Sequence, residues 1–138
     1  MARYMMLLFI PEGRSHEEAA AESPKWMSYT QELHETGAFV SGDALQGNET
    51  ATLLRVRDGE TQLTDGPYAE AKELFNGFWI LDVSSIDEAK QWARKCPLGP
   101  GVKLEVRRVA ETEEFDQDNE WIQKELKWRE ENDPRYTK

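Results

Sequence analysis

The chain has 138 residues, of which 27 are acidic and 17 basic, so its formal net charge is −10. At about 100–150 residues per domain, this length predicts one compact domain rather than two. The acidic balance argues against binding to nucleic acid or to an anionic membrane surface, because both depend on clustered Lys and Arg. The single cysteine, Cys96, excludes an internal disulfide, which is typical of a reducing compartment. We therefore expect a cytoplasmic protein.

The first predicted element is a strand over Arg3–Ile10. Its apolar run is far shorter than the roughly 20 residues of a membrane-spanning helix. Both of its faces are apolar, as expected when both sides of a sheet are covered. The segment 15–18 matches a capping box for a short helical turn. Ser23-Pro24 is then interpreted as the N-cap and first residue of a longer helix, which Gly37 ends.

The middle of the chain predicts several short strands. Segments 39–45 and 51–57 are predicted to be strands, the first weakened by Gly42, and Asp58-Gly59 after the second is the strongest short hairpin signal in the sequence. Residues 60–64 are expected to form a strand that pairs with segment 51–57. Asp65-Gly66-Pro67 is expected to end this strand. Gly77–Val83 is rich in aromatic and β-branched residues and predicts a further strand.

The next elements are a helix and a last strand. Ser85 to Glu88 forms a capping box that begins the helix, and Pro97 limits its extent. In 102–109 apolar residues alternate with charged ones, which predicts a half-exposed strand. The resulting order, β-α-β-β(-β)-β-α-β, is the ferredoxin-like split βαβ pattern of an α+β protein, with an added hairpin strand.

The helices of such a fold cover one face of an antiparallel sheet. The other face also carries large apolar groups, so we expect a second copy to cover it and the protein to be a homodimer. Residues 1–110 are predicted to form this domain. Residues 111–138, with ten acidic and five basic groups, form an acidic extension. Within it, 112–131 predicts an amphipathic helix carrying Trp121 and Trp128, which docks on the domain, its dimer mate or an external partner.

The most distinctive segment runs from Thr64 to Glu73 (TDGPYAEAKE). As a structural element it is a rigid turn, because Gly permits unusual backbone angles and Pro fixes φ. As a functional element it is a preorganised loop that presents polar side chains to a ligand: Asp65, Tyr68, Lys72 and Glu73. Composition alone favours the turn.

This segment resembles the signature of the DGPF subgroup of YCII-related proteins, with Tyr68 where Phe is usual. The similarity to that group extends to six further segments: 50–59, 77–79, 87–89, 92–93, 96–97 and 105–107. The resemblance implies a dimeric α/β barrel related to muconolactone isomerase, with a His–Asp pair proposed as its catalytic site. The position of that histidine is matched here by Trp26, and Asp43 lies near that of the aspartate. His16 and His34 lie elsewhere.

Three interpretations remain open. The first is a barrel that binds a small apolar or aromatic metabolite without metal or nucleotide; whether it also transforms that molecule as an enzyme stays open. The second is a regulatory protein linked to an extracytoplasmic-function sigma factor, a partner class implied by the resemblance. The third is a domain whose dimer simply buries its sheet.

No metal site or cofactor is predicted, because two histidines and one cysteine do not supply a usual zinc site. Cys96 is expected to pack as a small apolar group. The candidate catalytic residues are Asp65, Asp43 and Glu73. The candidate ligand-binding residues are Trp26, Tyr29, Arg55, Tyr68, Lys72 and Trp79.

Overall fold

The computed structural model describes residues 2–11, 13, 16–66 and 73–134, apart from the side chains of residues 16, 17, 19 and 20. The strands are β1 (Ala2–Pro11), β2 (Phe39–Ala44), β3 (Thr52–Arg57), β4 (Glu60–Asp65), β5 (Glu73–Val83) and β6 (Lys103–Arg108). The helices are α1 (His16–Thr36), α2 (Ile86–Lys95) and α3 (Glu120–Asn132). The molecule is therefore a mixed α+β protein, and the order of elements through β6 agrees with the sequence-based prediction.

The strands form two antiparallel sheets. In the larger one the order is β2-β5-β1-β6, so the two longest strands, β1 and β5, lie in the centre. Among the described residues, strands β3 and β4 pair only with each other, as a separate hairpin. Its turn residues Asp58 and Gly59 have φ of 51° and 77°, the left-handed pair of angles that a two-residue hairpin turn requires. The predicted hairpin is confirmed.

Helix α1 begins earlier than the sequence indicates. We predicted that Ser23-Pro24 starts the helix, but α1 runs from His16, and Pro24 lies inside it. A proline in a helix removes one backbone hydrogen bond. Three alanines, Ala19-Ala20-Ala21, precede Pro24 with Glu22 and Ser23 between, and alanine has the highest helix propensity of any residue type, so this segment favours helix across the boundary. The predicted end is right, because Gly37 has a φ of 78° and closes the last turn.

Helix α2 has the predicted cap with one difference. The Ser85 hydroxyl accepts a hydrogen bond from the Glu88 N–H at 3.2 Å. The Glu88 carboxylate, however, accepts from the hydroxyl (2.6 Å) and the N–H (2.7 Å) of Ser84 rather than from the N–H of Ser85. These hydrogen bonds from Ser84 hold the pKa of Glu88 below its ordinary value, and the bond from the hydroxyl has the largest effect.

One face of the large sheet is buried and the other is half-exposed. Alternate residues of β1 belong to the buried face, where Met6 is fully buried. Leu33 of α1 and Leu81 of β5 are also fully buried there. Trp92 of α2 belongs to the same core. On the opposite face of β1, Met5, Leu7 and Phe9 are only partly covered.

The structure divides into two compact units, one through Arg108 and one from Val109 onward. In the second unit, a 3₁₀ turn over Thr112–Glu114 precedes α3. The prediction of one helix over 112–131 is wrong for residues 112–119, because Asn119 caps α3 by accepting the N–H of Trp121 at 2.8 Å. No helix in the described part of the chain is long and apolar enough to cross a membrane.

Candidate functional site

A cavity of about 950 Å³ lies between α1 and the part of the large sheet formed by β2 and β5. Its volume is in the range that binds small molecules, about 300–1,000 Å³. Aromatic residues from three elements line it: Trp26, Phe39, Phe78 and Trp79. The polar residues that border it are Ser23, Thr30, Gln31, His34, Glu35, Asp43 and Asn76.

Helix α1 supplies one wall through residues that recur every three or four positions. Trp26, Thr30 and His34 lie four apart, so they share one face of the helix. This face adjoins the core face of α1, where Tyr29 and Leu33 are buried. Two adjacent faces of α1 therefore have different roles: one packs in the core and the other lines the cavity.

The aromatic floor of the cavity is a pair of stacked indoles. The Trp26 and Trp79 rings lie 5.3 Å apart between centroids with 16° between their planes, an offset stack. Tyr29 packs edge-on against both indoles. Its hydroxyl donates a hydrogen bond to the Trp92 carbonyl oxygen at 2.9 Å. Burial raises the pKa of Tyr29 far above its ordinary value, so this phenol stays a neutral donor behind the cavity wall.

The opposite wall depends on a close approach of β2 to β5. A Cβ atom on Gly42 would lie 2.8 Å from the Phe78 carbonyl oxygen and 3.2 Å from the Trp79 indole. A Cβ atom on Gly77 would lie 2.9 Å from the Asp43 carbonyl oxygen. Each of these glycines therefore leaves room for the backbone of the other strand. Asp43 borders the cavity on β2, but it lies opposite Phe78, and Phe78 lies opposite Leu7, so its side chain shares the half-exposed face of the sheet.

The ionisable groups of the described wall come from α1 and β2. His34 lies against Phe39, with ring centroids 4.1 Å apart. Glu35 accepts a hydrogen bond from Gln31 at 3.1 Å. The Asp43 carboxylate has no hydrogen-bonding or ion-pair partner in the described residues. The His34 imidazole and the Glu35 carboxylate give the site hydrogen-bonding and proton-transfer groups beside an aromatic surface.

Three of the candidate residues meet at this cavity and the others do not. Trp26, Trp79 and Asp43 line it, and Tyr29 supports the two indoles from the core. Three described candidates lie outside its wall: Arg55, Asp65 and Glu73. Tyr68 and Lys72 fall outside the described residues.

The candidates outside the cavity have other contacts. Asp65 accepts a hydrogen bond from the Thr52 hydroxyl at 3.0 Å, across the open end of the hairpin. Glu73 accepts one from the Lys103 ammonium at 2.6 Å. Arg55 lies opposite Gln62 in the register of β3 and β4. In the described residues, the Asp65 and Glu73 contacts hold strands together.

Sequence reasoning missed His34, Glu35 and Asn76 as cavity residues. The spacing of His34 from Trp26, two helical steps of four, was a usable signal for shared orientation. Asn76 carried no such signal, because its position depends on an irregularity in the pairing of β1 and β5 between Leu8 and Phe9. A shift of this kind is not visible in the alternation of one strand.

Other chemistry in the described residues is limited. No group of three or more His, Cys, Asp or Glu side chains there is arranged to hold a metal ion. Cys96 is buried beside Tyr29, and burial raises its pKa to about 11. The thiolate is the reactive form of cysteine. Cys96 is thus a packing residue in the folded protein.

Comparison with known proteins gives the family. The model of the YCII-related domain matches residues 2–113. The chain belongs to the YCII-related family. It is also similar to an uncharacterised protein, R00369, of Rhizobium meliloti (strain 1021), with 50% identity over 44 residues. Those residues are 32% of this YCII-related chain and span about a third (36%) of the Rhizobium protein.

The burial of Cys96 in this YCII-related protein predicts slow thiol chemistry. With a pKa of about 11, the native thiol should react with a disulfide reagent near pH 8 about 100-fold more slowly than an unperturbed thiol. The measurement is the rate of labelling in native buffer and in guanidinium. A Ser28→Cys variant, which places a thiol on the exposed side of α1, is the matched control. Equal native rates at the two positions would contradict the assignment.

Proposed function

We propose that this protein binds a small apolar or aromatic metabolite, without metal or nucleotide, in the cavity between α1 and strands β2 and β5. The observation that carries the proposal is the stacked Trp26–Trp79 pair in the wall of a cavity of about 950 Å³. Flat aromatic walls with a few convergent polar groups are typical of small-molecule sites. The candidate residues Trp26, Trp79 and Asp43 contribute to this wall.

If the bound molecule is transformed, Asp43 is the carboxylate we assign to proton transfer. Asp43 borders the cavity on β2, and within the described residues its carboxylate is not engaged by another side chain. A general base has to reach the proton that it removes, and a carboxylate held by an ion pair is less available for this.

The segment 64–73 supports a place in the DGPF subgroup of the family through its resemblance to that signature.

The cavity assignment predicts that filling the cavity abolishes binding. Naphthylethanol, an uncharged aromatic probe, should bind the full chain in calorimetry. Thr30→Trp should weaken this binding by at least about tenfold, because a large ring from the α1 wall occupies the volume. Ser28→Trp adds the same ring on the same helix but outside the wall. Equal binding by the two variants, or no binding by the unaltered protein, would overturn the assignment.

We also propose that the large sheet has the ferredoxin-like arrangement of a dimeric α/β barrel and that a second copy covers its half-exposed face. The strand order β2-β5-β1-β6 supports this. In the register, Leu7 lies opposite Phe78 and Met5 opposite Ile80, which gives this face an apolar centre. Glu105 lies opposite Leu7 and contributes to a charged rim on β6. An apolar centre with a polar rim is the usual composition of a protein interface.

The dimer proposal predicts a mass in solution of twice 16.0 kDa. Leu7→Glu should shift the protein toward the monomer, because it would bury an unpaired charge at the centre of the interface. Light scattering after gel filtration measures the mass, and circular dichroism checks that the variant is folded. Leu98→Glu places the same charge in an exposed loop and should leave the dimer intact. A monomeric unaltered protein would contradict the proposal.

A second candidate function is recruitment of an extracytoplasmic-function sigma factor through α3. The observation that favours it is the exposure of two tryptophans on α3, 73% for Trp121 and 58% for Trp128. Large exposed aromatic side chains are enriched at protein interfaces.

This second candidate predicts that the double variant Trp121→Ala, Trp128→Ala loses binding to a purified sigma factor from the same host. Loss of two aromatic anchors should weaken the complex by at least about tenfold. Calorimetry measures the binding. The double variant Lys124→Ala, Lys127→Ala is the control, because it makes the same number of alanine substitutions on the same helix. Absence of binding by the unaltered chain would remove the candidate and leave the cavity proposal in place.

A further inference from the structure

The β3–β4 hairpin has an apolar face that the described residues leave exposed. In the register, Leu54 lies opposite Leu63, and Val56 follows Leu54 on the same face of β3. Leu54 is 59% exposed, Leu63 62% and Val56 73%. Among the residues of the two strands, every one except Leu53 is exposed. Adjacent exposed apolar side chains of this kind are typical of an interaction surface.

The other face of the hairpin is polar. Arg55 lies opposite Gln62 there, and Arg57 lies opposite Glu60. One apolar and one polar face are typical of an antiparallel sheet that is covered on its apolar side. A two-stranded hairpin without such cover is only marginally stable in water. Burial of the apolar face on another surface would therefore stabilise the hairpin.

The hairpin is inserted at one end of the large sheet. Strand β2 ends at Ala44 and β5 begins at Glu73, and the two are antiparallel neighbours, so both connections to the hairpin leave from the same end. Two six-residue strands make an arm about 20 Å long. Within the described residues, this arm forms no ladder with the large sheet. The base of the hairpin holds the arm to the domain, and its apolar face is left for another contact.

The size of the proposed dimer interface favours a second copy of the chain as the molecule that covers this face. A stable protein interface involves about 20–30 residues from each partner. The half-exposed face of the large sheet presents roughly a dozen residues in the register, fewer than such an interface uses. In a two-fold dimer both copies contribute the same surface. Two arms would therefore enlarge the interface from both sides.

We propose that the β3–β4 hairpin is a dimerisation arm, whose apolar face (Leu54, Val56 and Leu63) packs on a second copy of this chain. Its polar face, with Arg55 and Arg57, lies toward solvent. This inference rests on the proposed dimer and goes beyond it, because it assigns to the dimer a surface outside the large sheet.

The test is a pair of substitutions at adjacent positions of β4. Leu63→Glu places a charge on the apolar face, and Gln62→Glu places the same charge on the polar face. Both positions are exposed in the single chain, so neither variant loses core packing. Leu63→Glu should raise the dissociation constant of the dimer by at least about tenfold, because the charge would be buried in the interface. Gln62→Glu should leave it within about twofold.

Sedimentation equilibrium on the full chain measures the dissociation constant, and circular dichroism checks that each variant is folded. Amide hydrogen exchange then shows which molecule covers the arm. The amides of β3 and β4 should exchange at least about tenfold more slowly in the dimer than in the monomeric Leu7→Glu variant, because a hairpin without cover opens readily. The amides of α2, which packs on the buried face of the sheet, are the internal reference.

The outcomes separate this inference from the dimer on which it rests. If the unaltered chain is monomeric, both fail. If the unaltered chain is a dimer and Leu63→Glu dimerises as tightly as Gln62→Glu, the arm is wrong and the dimer through the sheet face stands. Hairpin amides that stay equally protected in the Leu7→Glu monomer would also overturn the inference, because the chain itself would then cover the apolar face.

Discussion

The packing of α1 against β5 through three aromatic rings is the interaction on which the rest of the structure depends. Tyr29 joins the two layers, because its ring contacts Trp26 and Trp79 and its hydroxyl bonds to the Trp92 carbonyl of α2. One buried side chain thus links both helices to the sheet. A buried hydroxyl needs such an acceptor, since an unpaired one costs about 1–3 kcal/mol. The two indoles continue from this core into the cavity wall, so the core determines the shape of the site.

The strands on the other side of the cavity are placed by backbone geometry rather than by side-chain packing. Gly42 and Gly77 each lie where a Cβ atom would meet a carbonyl oxygen of the neighbouring strand at under 3.0 Å. The pairing of β2 with β5 shifts register between Phe39 and Ser41, next to Gly42. A shift of this kind re-aims the side chains that follow it. The position of β2 beside the cavity is therefore a consequence of two glycines and an irregular strand.

The sequence predicted those features that depend on local periodicity and turn chemistry. The hairpin at Asp58-Gly59, the cap at Ser85 and the end of α1 at Gly37 each follow from the conformation that one residue type permits. The start of α1 was misjudged because Pro24 has a local preference for a first turn that the continuing helix overrides. Trp26, Trp79 and Asp43 were identified singly, but their common cavity depends on the register of β2 with β5, which no local pattern encodes.

The segment that carries the family resemblance and the cavity are built from different physical constraints. A Cβ atom on Gly66 would overlap the carbonyl oxygen of Asn48, and the Gly66 N–H donates to the Ala51 carbonyl at 2.7 Å. With the bond from Thr52 to Asp65, these contacts close the base of the β3–β4 hairpin against the turn before it. The described part of the motif is therefore explained by steric and hydrogen-bonding requirements alone. The cavity is formed instead by α1, β2 and β5, so substitutions there can change its shape while the motif is kept.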